Sequence, residues 1–259
     1  MPEMPDLPPG TPSWVDLGSA DLDASVAFYS GLLGWHAEDL GPEAGHYRMC
    51  SVDGLNVAGI GPLMMEGQPP AWTTYVNVAD ADAGAAQVRG AGGTVLAGPM
   101  DVMDQGRMVM VADPTGAVLG LWQPLAHRGA DLVNEPGSLV WNELNSRDPA
   151  AAETFYPRVF GWGSETNPMG DVGEYTEWTV DGRTVGGMLP MPAQVPAAVP
   201  SHWLVYFAVG DCDQAVTTAT ALGASVLQPP FDIPPGRMAV LVDPGGATFA
   251  VLRLASPAT

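Results

Sequence analysis

The stretch Asp21–Trp35, DLDASVAFYSGLLGW, recurs as Asp148–Trp162, DPAAAETFYPRVFGW, 127 residues later. Three further blocks repeat in the same order. GHYRMCSVDGLNVAGI from Gly45 returns as GEYTEWTVDGRTVGGM from Gly173, keeping Tyr47 and Tyr175 in step. WTTYVNVADAD from Trp72 returns as WLVYFAVGDCD from Trp203, and GRMVMVADPTGA from Gly106 as GRMAVLVDPGGA from Gly236. The shifts creep from 127 to 131, so the chain is two homologous halves that differ by small loop changes. The reading divides it into residues 1–128 and 129–259.

Each half spells strand, helix and strands, and then spells them again. Asp21 and Asp148 are N-cap residues, Pro149 follows at N1, and Gly34 and Gly161 stand where a left-handed glycine ends a helix. Leu22, Val26, Tyr29 and Leu33 line one face of the first helix at helical spacing. Asp53-Gly54 and Asp181-Gly182 each join two short strands through a two-residue hairpin. A second helix is expected from about Asp82 to Ala91, ended by the glycines of GAGG. Four strand–helix–strand modules fill the 259 residues.

Composition narrows function by exclusion. Nine basic residues, all arginine, against 29 acidic ones leave a net charge of −20, which opposes a nucleic-acid partner. No run approaches the ~18 apolar residues of a membrane helix, and MPEMPDLPPGTP has neither the basic nor the apolar region of a leader, so a cytoplasmic location and no membrane partner are expected. Cys50 and Cys212 make no disulfide framework.

The motifs DLxxSxxFYxxxLGW, FYPRVFGW, VADADAGAAQVRGAGG and the two DPxGA turns at Asp113 and Asp243 together resemble the glyoxalase / bleomycin-resistance / extradiol-dioxygenase superfamily, the vicinal oxygen chelate proteins. The resemblance spans nearly the whole chain and is similar to a bacterial tandem-domain, glyoxalase-like branch. It implies an α+β fold: two tandem vicinal-oxygen-chelate domains, each of two βαβββ modules forming a half-open barrel around a cleft. It also implies where metal-dependent members hold a divalent ion. Those positions fall on Trp14 and Trp141, near Ala58–Gly59 and Gly186–Gly187, on Thr73 and Leu204, and on Gly120 and Ala250. None offers the nitrogen, carboxylate or thiolate that such an ion needs. The chain is therefore expected to use no metal and no cofactor.

Residues two apart on a strand share a face, so Trp14 with Asp16, and Trp141 with Glu143, are expected to line the two clefts. Thr73, Tyr75 and Trp122 extend the first wall, and Leu204 and Tyr206 the second, with Gly120 and Ala250 leaving space. Such walls suit a bulky, flat, partly apolar small molecule as partner. Two readings stay open for each indole: it stacks on a ligand, or it fills the cavity a metal site vacated. Two also stay open for Asp16 and Glu143: buried carboxylates satisfied locally, or ligand-binding and catalytic acid/base groups. Arg107 and Arg237, at matching GRM positions, are expected to pair with loop carboxylates. The function read from these residues is metal-independent small-molecule binding, in resistance, sequestration or secondary metabolism. The alternatives are a metal-free isomerase, lyase or cyclase, or a metalloenzyme with noncanonical ligands. A monomer and a homodimer both remain compatible with the sequence.

Overall fold

The computed structural model describes residues 7–65, 67–169 and 173–255; the opening MPEMPD of the leader reading lies outside them. The first half supplies β1 (Pro12–Ser19), α1 (Leu22–Leu33), β2 (His36–Asp39), β3 (Arg48–Val52) and β4 (Leu55–Pro62), then β5 (Ala71–Asn77), α2 (Ala81–Gly90), β6 (Thr94–Val102), β7 (Gly106–Ala112) and β8 (Val118–Pro124). The second supplies β9 (Leu139–Ser146), α3 (Pro149–Phe160), β10 (Gly163–Pro168), β11 (Glu174–Val180) and β12 (Arg183–Pro190), then β13 (His202–Ala208), α4 (Cys212–Ala221), β14 (Ser225–Ile233), β15 (Gly236–Val242) and β16 (Thr248–Leu254). The strands form two eight-stranded mixed sheets, ordered β2-β3-β4-β1-β5-β8-β7-β6 and β10-β11-β12-β9-β13-β16-β15-β14. Both are open, with edges at β2 and β6 and at β10 and β14. No helix among the described residues is long and apolar enough to cross a membrane.

Local chemistry sets the element ends. Asp21, Asp80, Asp148 and Asp211 each accept a backbone N–H of the first helical turn. Gly34 and Gly161 adopt the left-handed conformation that closes α1 and α3. Asp53-Gly54 and Asp181-Gly182 all have positive φ, as the tight hairpin requires. The buried stripe of α1 differs from the expected one: Ser25, Phe28, Tyr29 and Leu33 are buried, while Leu22 and Val26 pack at its margin. The helix turns this way because both aromatic rings, the largest apolar surfaces it carries, then reach the core.

The described chain divides into two compact units, and each draws on both halves of the repeat. One comprises residues 7–14, 74–129 and 141–204; the other comprises 15–73, 130–140 and 205–255. In the second, α1 packs with α4 around Val15, Leu17, Phe28, Val205, Phe207 and Phe249. The Tyr29 hydroxyl donates to Asp243 at 2.9 Å and accepts from the Trp72 indole at 2.8 Å. Trp35 donates to the Gly137 carbonyl at 2.6 Å. In the first unit, α2 packs with α3. There Tyr156 donates to Asp113 at 3.0 Å, Trp203 to Tyr156 at 3.0 Å, and Trp162 to the Gly10 carbonyl at 2.6 Å. Each DPxG aspartate thus turns its own loop and anchors a tyrosine from the other half of the sequence.

Candidate functional site

Alternation along β1 sends Val15 and Leu17 into a helical core, which leaves Trp14 and Asp16 on the opposite face. The same rule separates Leu144 from Trp141 and Glu143, Val76 from Tyr75, and Val205 and Phe207 from Leu204 and Tyr206. The sequence-predicted site residues therefore lie on the strand faces turned away from the cores.

In the first unit Trp14 is only 5% exposed, and its ring meets His127 edge-on at 4.4 Å. Trp122 donates its indole N–H to the His127 carbonyl at 2.8 Å and packs against the same imidazole. His127 lies in the segment that joins the two halves of the repeat. Its place between two indoles depends on a turn after β8, which no local motif announces. Tyr75 pairs with Gly120 across β5 and β8, and its ring lies where a Gly120 Cβ would stand.

In the second unit Asp16 sits in register with Gly59, and Tyr47 donates to the Asp16 carboxylate at 3.3 Å. A Cβ on Gly59 would coincide with the Tyr47 hydroxyl. Thr73 is partly buried in this unit, and Tyr206 is buried in register with Ala250.

The counterpart of that arrangement lies in the first unit. Glu143 is 8% exposed and in register with Gly187, whose missing Cβ makes room for the Tyr175 hydroxyl. Trp141 donates to that hydroxyl at 2.8 Å, and the phenol in turn hydrogen-bonds to Glu143. Leu204, in the same unit, is buried. Burial, followed by the nearby Glu143 charge, pushes the Tyr175 phenol well above its ordinary value. The small residues do not leave the space expected of them. At Gly59, Gly120 and Gly187 a tyrosine fills it, Tyr47 from just before β3, Tyr75 from β5 and Tyr175 from β11, because interiors close-pack.

Tyr29 and Tyr156 are shifted in the same direction, by burial first and by Asp243 and Asp113 next. A phenol that keeps its proton in the fold but loses it when unfolded, near pH 10, contributes stability below that pH and loses it as pH rises further. With three such groups, stability is expected to fall by about 4 kcal/mol per pH unit above pH 10. Absorbance at 295 nm checks this: at least three of the six phenols should ionise only together with unfolding.

The superfamily's divalent ion does not fit the residues present. Among the described residues no group of three or more His, Cys, Asp or Glu side chains comes together. Each carboxylate at issue is instead engaged by a tyrosine O–H. Arg107 pairs with Asp82 and Asp101, at 3.0 and 2.7 Å, and Arg237 with Asp213 and Asp232, at 2.7 and 3.1 Å; these carboxylates lie on α2, β6, α4 and β14 rather than in the loops expected. In each case the guanidinium ties a strand start to the first turn of a helix.

The Glyoxalase/Bleomycin resistance protein/Dioxygenase superfamily profile matches residues 11–121, and a Glyoxalase-like domain profile matches residues 141–252. CFP32 of Mycobacterium tuberculosis (strain CDC 1551 / Oshkosh), which carries a glyoxylase name, is 43% identical over 261 aligned positions, covering 98% of each chain. The anthracycline biosynthesis protein DnrV of Streptomyces peucetius is 40% identical, covering 95% of this chain and 94% of its own. The Mn(II)-bound glyoxalase of Novosphingobium aromaticivorans shares the fold, with a TM-score of 0.63 at 18% identity over 96% of this chain and 84% of the other. Repeat, sheet order and sequence likeness agree: the chain belongs to the glyoxalase / bleomycin resistance protein / dioxygenase superfamily.

Proposed function

We propose that this protein binds a bulky, flat, partly apolar small molecule without a metal ion, in the service of secondary metabolism. The observation that carries the reading is the fate of the superfamily's ligand positions. Trp14 and Trp141 stand at the first, and tyrosine hydroxyls cover Gly59 and Gly187 at the second. Within the first unit Trp141, Tyr175 and Glu143 lie together, rings beside a carboxylate, a surface on which an aromatic ligand stacks while one or two polar groups orient it. Likeness to DnrV, named for anthracycline biosynthesis, supports a fused-ring aromatic as the ligand class.

Equilibrium dialysis with anthracyclines and smaller fused-ring aromatics tests the proposal, run before and after exhaustive chelation and again with added Mn, Ni, Zn or Fe. Saturable binding is expected, with affinity unchanged within about twofold by chelation or metal. Binding that chelation abolishes and one metal restores would overturn metal independence. Flat isotherms throughout would overturn the ligand class.

A further inference from the structure

The two halves are not equivalent at the strand face that carries the first indole. Trp14 is packed against His127, whereas its counterpart Trp141 is partly exposed. Two residues beyond each carboxylate the repeat diverges: Gly18 follows Asp16, but Asn145 follows Glu143. The Asn145 side-chain Nδ2 is buried and has no hydrogen-bond partner among the described residues. An amide donor left so costs about 1–3 kcal/mol, a cost the protein recovers when something accepts from it. Trp141, Glu143 and Asn145 alternate onto one face of β9, and residues two apart on a strand are about 7 Å from one another.

The hydrogen-bond inventory of this face is asymmetric. Glu143 only accepts. Tyr175 engages Glu143 and accepts from Trp141, so neither its proton nor the indole N–H is left to offer. The donor on this strand face is then Asn145.

Resting on the function proposed above, we propose that the β9 face is the working ligand face. Trp141 supplies the stacking surface, Glu143 takes a hydroxyl proton donor, and Asn145 donates to a carbonyl oxygen. The ligand is then a flat ring system that carries both a hydroxyl and a carbonyl.

Three probes separate the parts: 6-acetyl-2-naphthol, 2-naphthol and 2-acetylnaphthalene, titrated against the intact chain. Asn145→Leu is expected to weaken both acetyl-bearing probes about tenfold and leave 2-naphthol within twofold. Asn145→Asp, equal in shape but without the donor, should repeat that pattern if the leucine variant fails to fold. Glu143→Gln is expected to weaken the two naphthols about tenfold and leave 2-acetylnaphthalene within twofold. Trp141→Leu should weaken all three, and by more than Trp14→Leu. Binding that ignores the Asn145 and Glu143 variants, or that depends on Trp14 more than on Trp141, would overturn this assignment while the wider function stands. Absence of saturable binding by any probe and by any anthracycline would overturn both.

Discussion

Expressed separately, residues 1–128 and 129–259 are each expected to remain unfolded, and to recover structure only when mixed. The repeat makes each half look like a self-sufficient domain, but the compact units do not follow it. Among the described residues, five buried hydrogen bonds run from one half of the sequence to the other: Tyr29 to Asp243, Tyr156 to Asp113, Trp35 to Gly137, Trp162 to Gly10, and Thr74 to Asn142. A buried polar group stripped of its partner costs about 1–3 kcal/mol. The loss of all five is comparable to the whole stability of an ordinary domain, about 5–15 kcal/mol. Each half would also expose one side of both apolar cores: Phe28 would lose Phe249, and Ala81, Ala85 and Val88 would lose Phe155 and Tyr156. Circular dichroism and thermal melts of each half, alone and mixed, check this. A cooperative melt from either half alone would refute it.

Asp113→Ala is expected to be the most damaging single substitution of a polar residue in the first unit. One Asp113 oxygen accepts from the Thr115 N–H at 2.7 Å, the Thr115 hydroxyl at 2.7 Å and the Ala117 N–H at 3.0 Å. The other accepts from Tyr156, whose hydroxyl also holds the Trp203 indole. Alanine leaves a buried turn and a buried phenol without acceptors. A loss of about 4 kcal/mol follows, or about 8–16 °C in Tm for a chain of this size. Tyr156→Phe removes only the far end of the network and is expected to cost about 1–3 kcal/mol. Thermal melts of the two variants should rank in that order, and equal melting temperatures would show that the aspartate acts through the tyrosine alone.

What the sequence determined by itself follows from local rules. Asp21, Asp148, Gly34, Gly161 and the Asp-Gly hairpins declare their conformations within three or four residues. Period-two alternation separates Trp14, Asp16, Trp141 and Glu143 from the cores without any knowledge of their partners. The four-module, two-sheet architecture follows from counting these signals and from the repeat.

Tertiary structure alone decided which modules share a core. Because the halves are homologous, pairing a tyrosine with its own DPxG aspartate or with the other half's satisfies the same local pattern. The choice of Tyr29 with Asp243 rests on contacts 214 residues apart. It also decided the fate of the small residues: a glycine reads as open space until a neighbouring segment brings a tyrosine over it, as happens with Tyr47 at Gly59 and Tyr175 at Gly187. The difference between Trp14 and Trp141 belongs here too. Both indoles occupy the same repeat position, yet His127 packs against Trp14 while Tyr175 accepts from Trp141, since burial and pairing are properties of what surrounds a side chain and not of the side chain itself.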